Sequence, residues 1–156
     1  MNLARKRVLF VDDERGVRET LSAILRRYGF VVTVAATVAE AVQEIHSKEF
    51  DLLLCDLNIE RESDGLDVVR EIGIVNPDCI VIILTGYPAM DTAVEATHLG
   101  VDDYIAKPAS ADTLVAIIAE RLHGSRIRAR VSPIESASSE AGTERSVEES
   151  EGNQQH

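Results

Sequence analysis

Asp12 and Asp13 close one apolar run, Asp56 closes a second, Thr85 ends a third, and Lys107-Pro108 follows a fourth. If these runs are neighbouring strands, three carboxylates, a hydroxyl and an ammonium converge on one edge of a sheet. Carboxylates crowded into a partly desolvated cleft repel one another, and at least one pKa rises unless a cation neutralises them. Oxygen-only ligands on a rigid rim suit Mg²⁺, which keeps several waters and takes few protein carboxylates. Asp13 is the better direct ligand and Asp12 acts through water. Asp56 can give one oxygen to the metal and keep the other as a nucleophile, and the carbonyl of Asn58 in the next loop can also reach the ion. A carboxylate that attacks a phosphoryl group forms an acyl phosphate, and catalysis is then mainly positioning and charge stabilisation. Lys107 would supply a charge for the phosphoryl oxygens and Thr85 a hydroxyl donor. Taken singly, an acidic turn, a strand-end threonine and a surface lysine are ordinary features. Their joint occurrence after successive strands is what favours chemistry.

The elements that must position these groups are legible in the pattern. Arg7–Val11, Val31–Ala35, Asp51–Cys55, Cys79–Leu84 and Asp102–Ile105 are short apolar runs, mostly β-branched, and such runs read as strands buried on both faces. Helical spacing separates them: Val17, Leu21, Ile24, Leu25 and Tyr28; Val38, Val42 and Ile45; Leu66, Val69 and Ile72; Met90 and Val94; Leu114, Ile117, Ile118 and Leu122. Gly29, Gly100 and Gly124 stand where a helix would end in the left-handed region, and Thr37 and Ser110 where a side chain would cap one. Five alternations of strand and helix predict an α/β fold, a doubly wound parallel sheet with helices on both faces and its site at the carboxyl ends of the strands. The acidic residues and Thr85 fall at those ends.

With 156 residues and 45% hydrophobic content, the chain suits one domain with a substantial core. A formal net charge of −11 would repel phosphate backbones, so protein partners are expected and direct nucleic-acid binding is not. No apolar run approaches the roughly 18 residues of a membrane span, and the N-terminus enters a strand without a signal-peptide core, so a cytoplasmic protein with no membrane association is expected. Cys55 and Cys79 would sit at opposite ends of neighbouring strands, too far apart for a disulfide, and burial outweighs redox chemistry as their expected role. His46, His98, His123 and His156 share no metal-ligand spacing and read as surface residues. After Gly124 the composition turns to Arg, Ser, Glu, Gly and Gln, so residues 125–156 are expected to be a disordered tail or linker.

Val8-Leu9-Phe10-Val11-Asp12-Asp13-Glu14, Leu53-Leu54-Cys55-Asp56-Leu57, Asp64-Gly65-Leu66, Ile83-Leu84-Thr85-Gly86 and the run Gly100 to Pro108 together resemble the receiver domains of bacterial two-component response regulators. The resemblance covers residues 5–124. It implies a chemotaxis-regulator-like, flavodoxin-like fold of five parallel strands in the order 2-1-3-4-5 with five helices. It further implies transfer of a phosphoryl group from a histidine kinase or histidine phosphotransfer protein to Asp56, with Mg²⁺ held by Asp12, Asp13 and Asp56, and Thr85 and Tyr104 as the switch pair. A downstream protein or a second receiver would then read the face built from residues 88–123. The loop from Asn58 to Asp64 departs from the family's common form: it is one residue longer and has Ile59-Glu60 where Met-Pro is usual.

The expected function is therefore a signalling receiver that catalyses only its own phosphorylation and dephosphorylation. One alternative is the regulatory fragment of a longer response regulator without its output domain, and another is a receiver-shaped module that works unphosphorylated. A third is a Mg²⁺-dependent aspartyl-phosphate phosphatase of haloacid-dehalogenase type. That superfamily carries Asp-x-Asp after the first strand, whereas the acidic pair here is contiguous and the expected nucleophile follows the third.

Overall fold

A computed structural model describes residues 3–130, with side chains as far as Gly124. Five strands, β1 (Arg7–Val11), β2 (Val31–Ala35), β3 (Leu52–Asp56), β4 (Ile80–Thr85) and β5 (Asp103–Ala106), alternate with helices α1 (Arg15–Arg27), α2 (Val38–Ser47), α3 (Gly65–Val75), α4 (Met90–His98) and α5 (Ala111–Arg130). The strands form one parallel sheet in the order β2-β1-β3-β4-β5, as the resemblance implies. The chain divides into two units, Met1–His123 and Gly124–His156. The packing below concerns the first; of the second, only helical backbone to Arg130 is described.

Period-two alternation sorts the central strands into two cores. Val8, Phe10, Leu52, Leu54, Ile80, Ile82 and Leu84 pack with Leu25 of α1 and with Leu114, Ile118 and Leu122 of α5. Their neighbours Leu9, Val11, Leu53, Cys55, Val81 and Ile83 pack with Ala41 and Ile45 of α2, Leu66, Val69 and Ile72 of α3, and Ala96 of α4. Helices thus cover both faces, and each fully buried Leu or Ile side chain contributes about 2 kcal/mol relative to exposure. Only the inner strands match the expectation of burial on both faces. At the edge, β2 leaves Val31 54% and Val34 40% exposed, and β5 is at most half-buried.

Helix ends follow the side chains expected to set them, with one exception. Thr37 Oγ1 accepts the Glu40 N–H at 3.0 Å, and Ser110 Oγ accepts that of Thr113 at 3.1 Å. Gly29 and Gly100 adopt φ of +97° and +82°, which a residue with a Cβ rarely enters. Gly124 does not end a helix: α5 runs through it to Arg130. Of the expected tail 125–156, residues 125–130 are helical backbone of α5, and 131–156, His156 among them, lie outside the described residues. A second correction concerns α4, whose Met90 and Val94 have helical spacing but face solvent at 81% and 46% exposure; Ala96 is what the helix buries. Among the described residues, no helix is long and apolar enough to cross a membrane.

Candidate functional site

Register brings the acidic residues together. Val11 pairs with Cys55, so Asp12 and Asp56 leave β1 and β3 at the same level, while Asp56 pairs with Leu84 and Thr85 with Ala106. Lys107 therefore emerges one residue past the strand beside Thr85. Its Nζ donates to Asp12 Oδ2 at 3.0 Å and to Asp56 Oδ2 at 3.1 Å. The other oxygens are occupied too: Asp12 Oδ1 accepts the Glu14 N–H at 2.9 Å, and Asp56 Oδ1 accepts that of Asn58 at 3.3 Å. Lys107-Pro108 is a cis peptide.

Asp12 and Asp56 are buried, Asp13 is exposed, and an oxygen of each lies within 4.8 Å of the others. Burial pushes the Asp56 carboxyl above its ordinary value and outweighs the lowering by the Lys107 ammonium, while Asp12 adds to the rise. Burial also works to lower Lys107, but hydrogen bonds and charge from Asp12 and Asp56 outweigh it and leave the ammonium pKa raised. The two shifts agree once the stoichiometry is counted: one cation serves two carboxylates, so it is over-supplied with partners and each carboxylate is under-supplied. Three oxygen donors of net negative charge around a rim fit a hard divalent cation such as Mg²⁺.

Thr85 is fully buried, and its Oγ1 accepts the Tyr87 N–H at 3.0 Å. Tyr104 pairs with Ile83, which puts it on the same sheet face as Thr85, where its ring packs against the α2–α3–α4 core. Its hydroxyl lies 2.9 Å from Thr92 Oγ1 and accepts the Ala89 N–H at 3.4 Å, tying the ring to the start of α4. Cys55 and Cys79 are free and buried, and burial raises Cys79 to about 12 and Cys55 well above the usual thiol value, consistent with unreactive side chains. His46, His98 and His123 are exposed, and His46 meets Glu71.

Two residues with no assigned role in the sequence analysis shape the site. Arg18 Nη1 donates to the carbonyls of Asp12 at 2.9 Å and Asp13 at 2.8 Å. Asp64 organises the longer loop: its carboxylate accepts the N–H groups of Ile59 at 2.7 Å, Glu60 at 2.9 Å and Arg61 at 3.0 Å. Asn58 Oδ1 accepts the Ser63 N–H at 2.7 Å, and Glu60 reaches the Val38 N–H of α2 at 3.2 Å. An Asp just before a helix is a recognisable turn signal; an arginine's choice of backbone carbonyls is not. Asp64→Ala leaves three amides without this acceptor. We expect a loss of about 2 kcal/mol in urea unfolding and faster amide exchange at 59–61; parent-like exchange there would show that the loop holds its path without Asp64.

This sheet order, with acidic residues and a lysine at the carboxyl ends of the strands, defines a class of protein. The family profile of the response regulator receiver domain matches residues 8–119, and the chain belongs to that family. It is 38% identical over 120 residues to the transcriptional regulatory protein ZraR of Klebsiella oxytoca, a match covering 77% of this chain and 27% of that protein. A receiver domain protein from Methanospirillum hungatei superposes with a TM-score of 0.76 at 29% identity, covering 80% of this chain and 99% of that one. A response regulator from Burkholderia pseudomallei, solved with a phosphorylated aspartic acid, calcium and citrate, gives a TM-score of 0.69 at 30% identity over 80% of this chain and 73% of that one. The chain spans 26–30% of the length of the curated relatives it matches.

Proposed function

We propose that the domain accepts a phosphoryl group on Asp56 and thereby switches a protein-interaction face. The observation that carries this is the Lys107 ammonium shared between Asp56 and Asp12, with Asp13 beside them. One Asp56 oxygen attacks phosphorus, an acyl phosphate bond forms, and the donor's P–N bond breaks with its electron pair passing to the imidazole nitrogen of a phosphohistidine. Lys107 moves from neutralising carboxylates to neutralising phosphoryl oxygens, and Thr85 supplies a hydroxyl donor once it turns from the Tyr87 amide. Asp12, Asp13, Asp56 and the Asn58 carbonyl would hold Mg²⁺, which when bound supplies charge neutralisation at the phosphoryl oxygens.

The donor is read as a histidine kinase or histidine phosphotransfer protein, and the catalysis as confined to the domain's own phosphorylation and dephosphorylation in the cytoplasm. Movement of Thr85 would leave space on the sheet face it shares with Tyr104. A tyrosine turning into that space gives up its contacts with Thr92 and Ala89, which alters the surface of residues 88–123 that a downstream protein or second receiver would bind. Binding one tyrosine position better than the other is enough to shift the equilibrium. A reading as haloacid-dehalogenase-type phosphatase finds less support, since the acidic residues that follow β1 are the contiguous pair Asp12-Asp13 rather than Asp-x-Asp.

The test is incubation with Mg²⁺ and acetyl phosphate followed by mapping of the modified residue. A single phosphoryl group on Asp56 is expected. Modification at Asp12 or Asp13 instead, or none under conditions that label another receiver, would overturn the reading.

A further inference from the structure

We infer that Arg18 is a positioning residue for the cation-binding half of the site, fastening the turn that presents Asp12 and Asp13; this rests on the reading of those carboxylates as Mg²⁺ ligands. The turn between β1 and α1 lacks the usual fastening at a helix start. Glu14 stands at the N-cap with φ −78° and ψ 113° but makes no side-chain capping hydrogen bond, and the first turn of α1 has no acidic residue. Two other contacts close it. Asp12 Oδ1 accepts the Glu14 N–H, and Arg18 folds back from within α1 so that one Nη1 meets the carbonyls of both Asp12 and Asp13. The Arg18 N–H donates to Glu14 O at 3.0 Å, so the helix turn that carries the arginine is itself anchored on the acidic turn. Asp12 is already held through both carboxylate oxygens; Asp13 is exposed, and the Arg18 contact to its own carbonyl fixes its backbone. Arg18 thus bears most heavily on the direction in which Asp13 projects.

The guanidinium has a second effect of opposite sign. A cation near three carboxylates repels a divalent ion, so if charge were all that Arg18 contributed, removing it would tighten Mg²⁺ binding. If it fastens the turn, removing it weakens binding, as loss of groups that orient ligands does elsewhere, by roughly tenfold or more. The two roles predict opposite directions, which makes affinity for the ion decisive where stability alone is not.

The experiment is titration of the full chain with Mg²⁺ alone, followed by amide chemical shifts at residues 12–18, for the parent, Asp13→Ala, Arg18→Met and Arg18→Lys. Arg18→Met keeps the apolar stem and removes charge and donors, and it is expected to bind Mg²⁺ about tenfold more weakly than the parent. Arg18→Lys keeps the charge with poorer reach to two carbonyls and should lie between them. Affinity in Arg18→Met equal to the parent's or tighter overturns the inference; if that variant does not fold, Arg18→Lys decides, and parent-like affinity there overturns it. A parent whose affinity is unchanged by Asp13→Ala would instead remove the Mg²⁺ reading, and the role of Arg18 with it.

Discussion

Asp56→Asn is expected to take up no phosphoryl group from acetyl phosphate with Mg²⁺ present, and to melt at a higher temperature than the parent at pH 7. The first effect follows from chemistry: an amide oxygen is no substitute for a carboxylate nucleophile, and Asp12, also held by Lys107, is fully buried just beyond the end of β1. The second follows from charge. Two buried carboxylates share one ammonium, and replacing one by a neutral isostere leaves a single pair of Asp12 and Lys107.

The pH dependence has a definite sign. Asp56 holds its proton in the folded domain to a higher pH than the ordinary 3.8, so between those values the native state binds more protons than the unfolded chain. Stability from Asp56 is therefore fully present below pH 3.8 and is lost as pH rises through the folded value. Asp56→Asn does not experience that loss, so its advantage in melting temperature should be largest at neutral pH and shrink on acidification. Undiminished labelling of the variant would refute the assignment of the phosphoacceptor. An advantage that grew as pH fell would refute the charge argument alone.

Gly65→Ala is expected to destabilise the domain by about 3 kcal/mol and to impair phosphoryl uptake together with it. A Cβ at Gly65 would lie 2.1 Å from the carbonyl oxygen of Asp56 and 2.8 Å from that of Leu57, both backbone atoms with no flexible end to give way. Helix α3 starts directly against the end of β3, and the Gly65 N–H donates to Leu57 O at 2.8 Å. An added methyl must push the helix start and the strand end that carries Asp56 apart. Gly73, in the same helix and exposed, has nothing within 4 Å of an added Cβ. Gly73→Ala should accordingly stabilise by about 0.5–1 kcal/mol through helix propensity. Urea unfolding of the pair checks both directions, and equal stabilities would show that close approach at Gly65 is relieved at little cost.

The sequence by itself determined which groups share an edge. Alternation along Val8 to Val11 and Leu52 to Cys55 sets which side chains enter each core, and a parallel sheet places every strand's carboxyl end on one edge, so Asp12, Asp56, Thr85 and Lys107 all fall there. Residue type was enough there because strand periodicity and chain direction are local properties; the strand order came through likeness to a family. Tertiary structure decided what local pattern leaves open. Apolar spacing at Met90 and Val94 gives a helix its phase but not which side a neighbour covers, and the packing of α4 buries Ala96 instead. Glycine permits a left-handed residue without requiring one, which is why Gly29 and Gly100 end helices and Gly124 continues one. Arg18 and Asp64 bind backbone groups, and since every residue carries the same backbone carbonyl and amide, no residue type marks those partners in advance. The hydroxyl contact of Tyr104 with Thr92 likewise depends on where α4 rests against β5, a matter of packing between elements rather than of pattern within either.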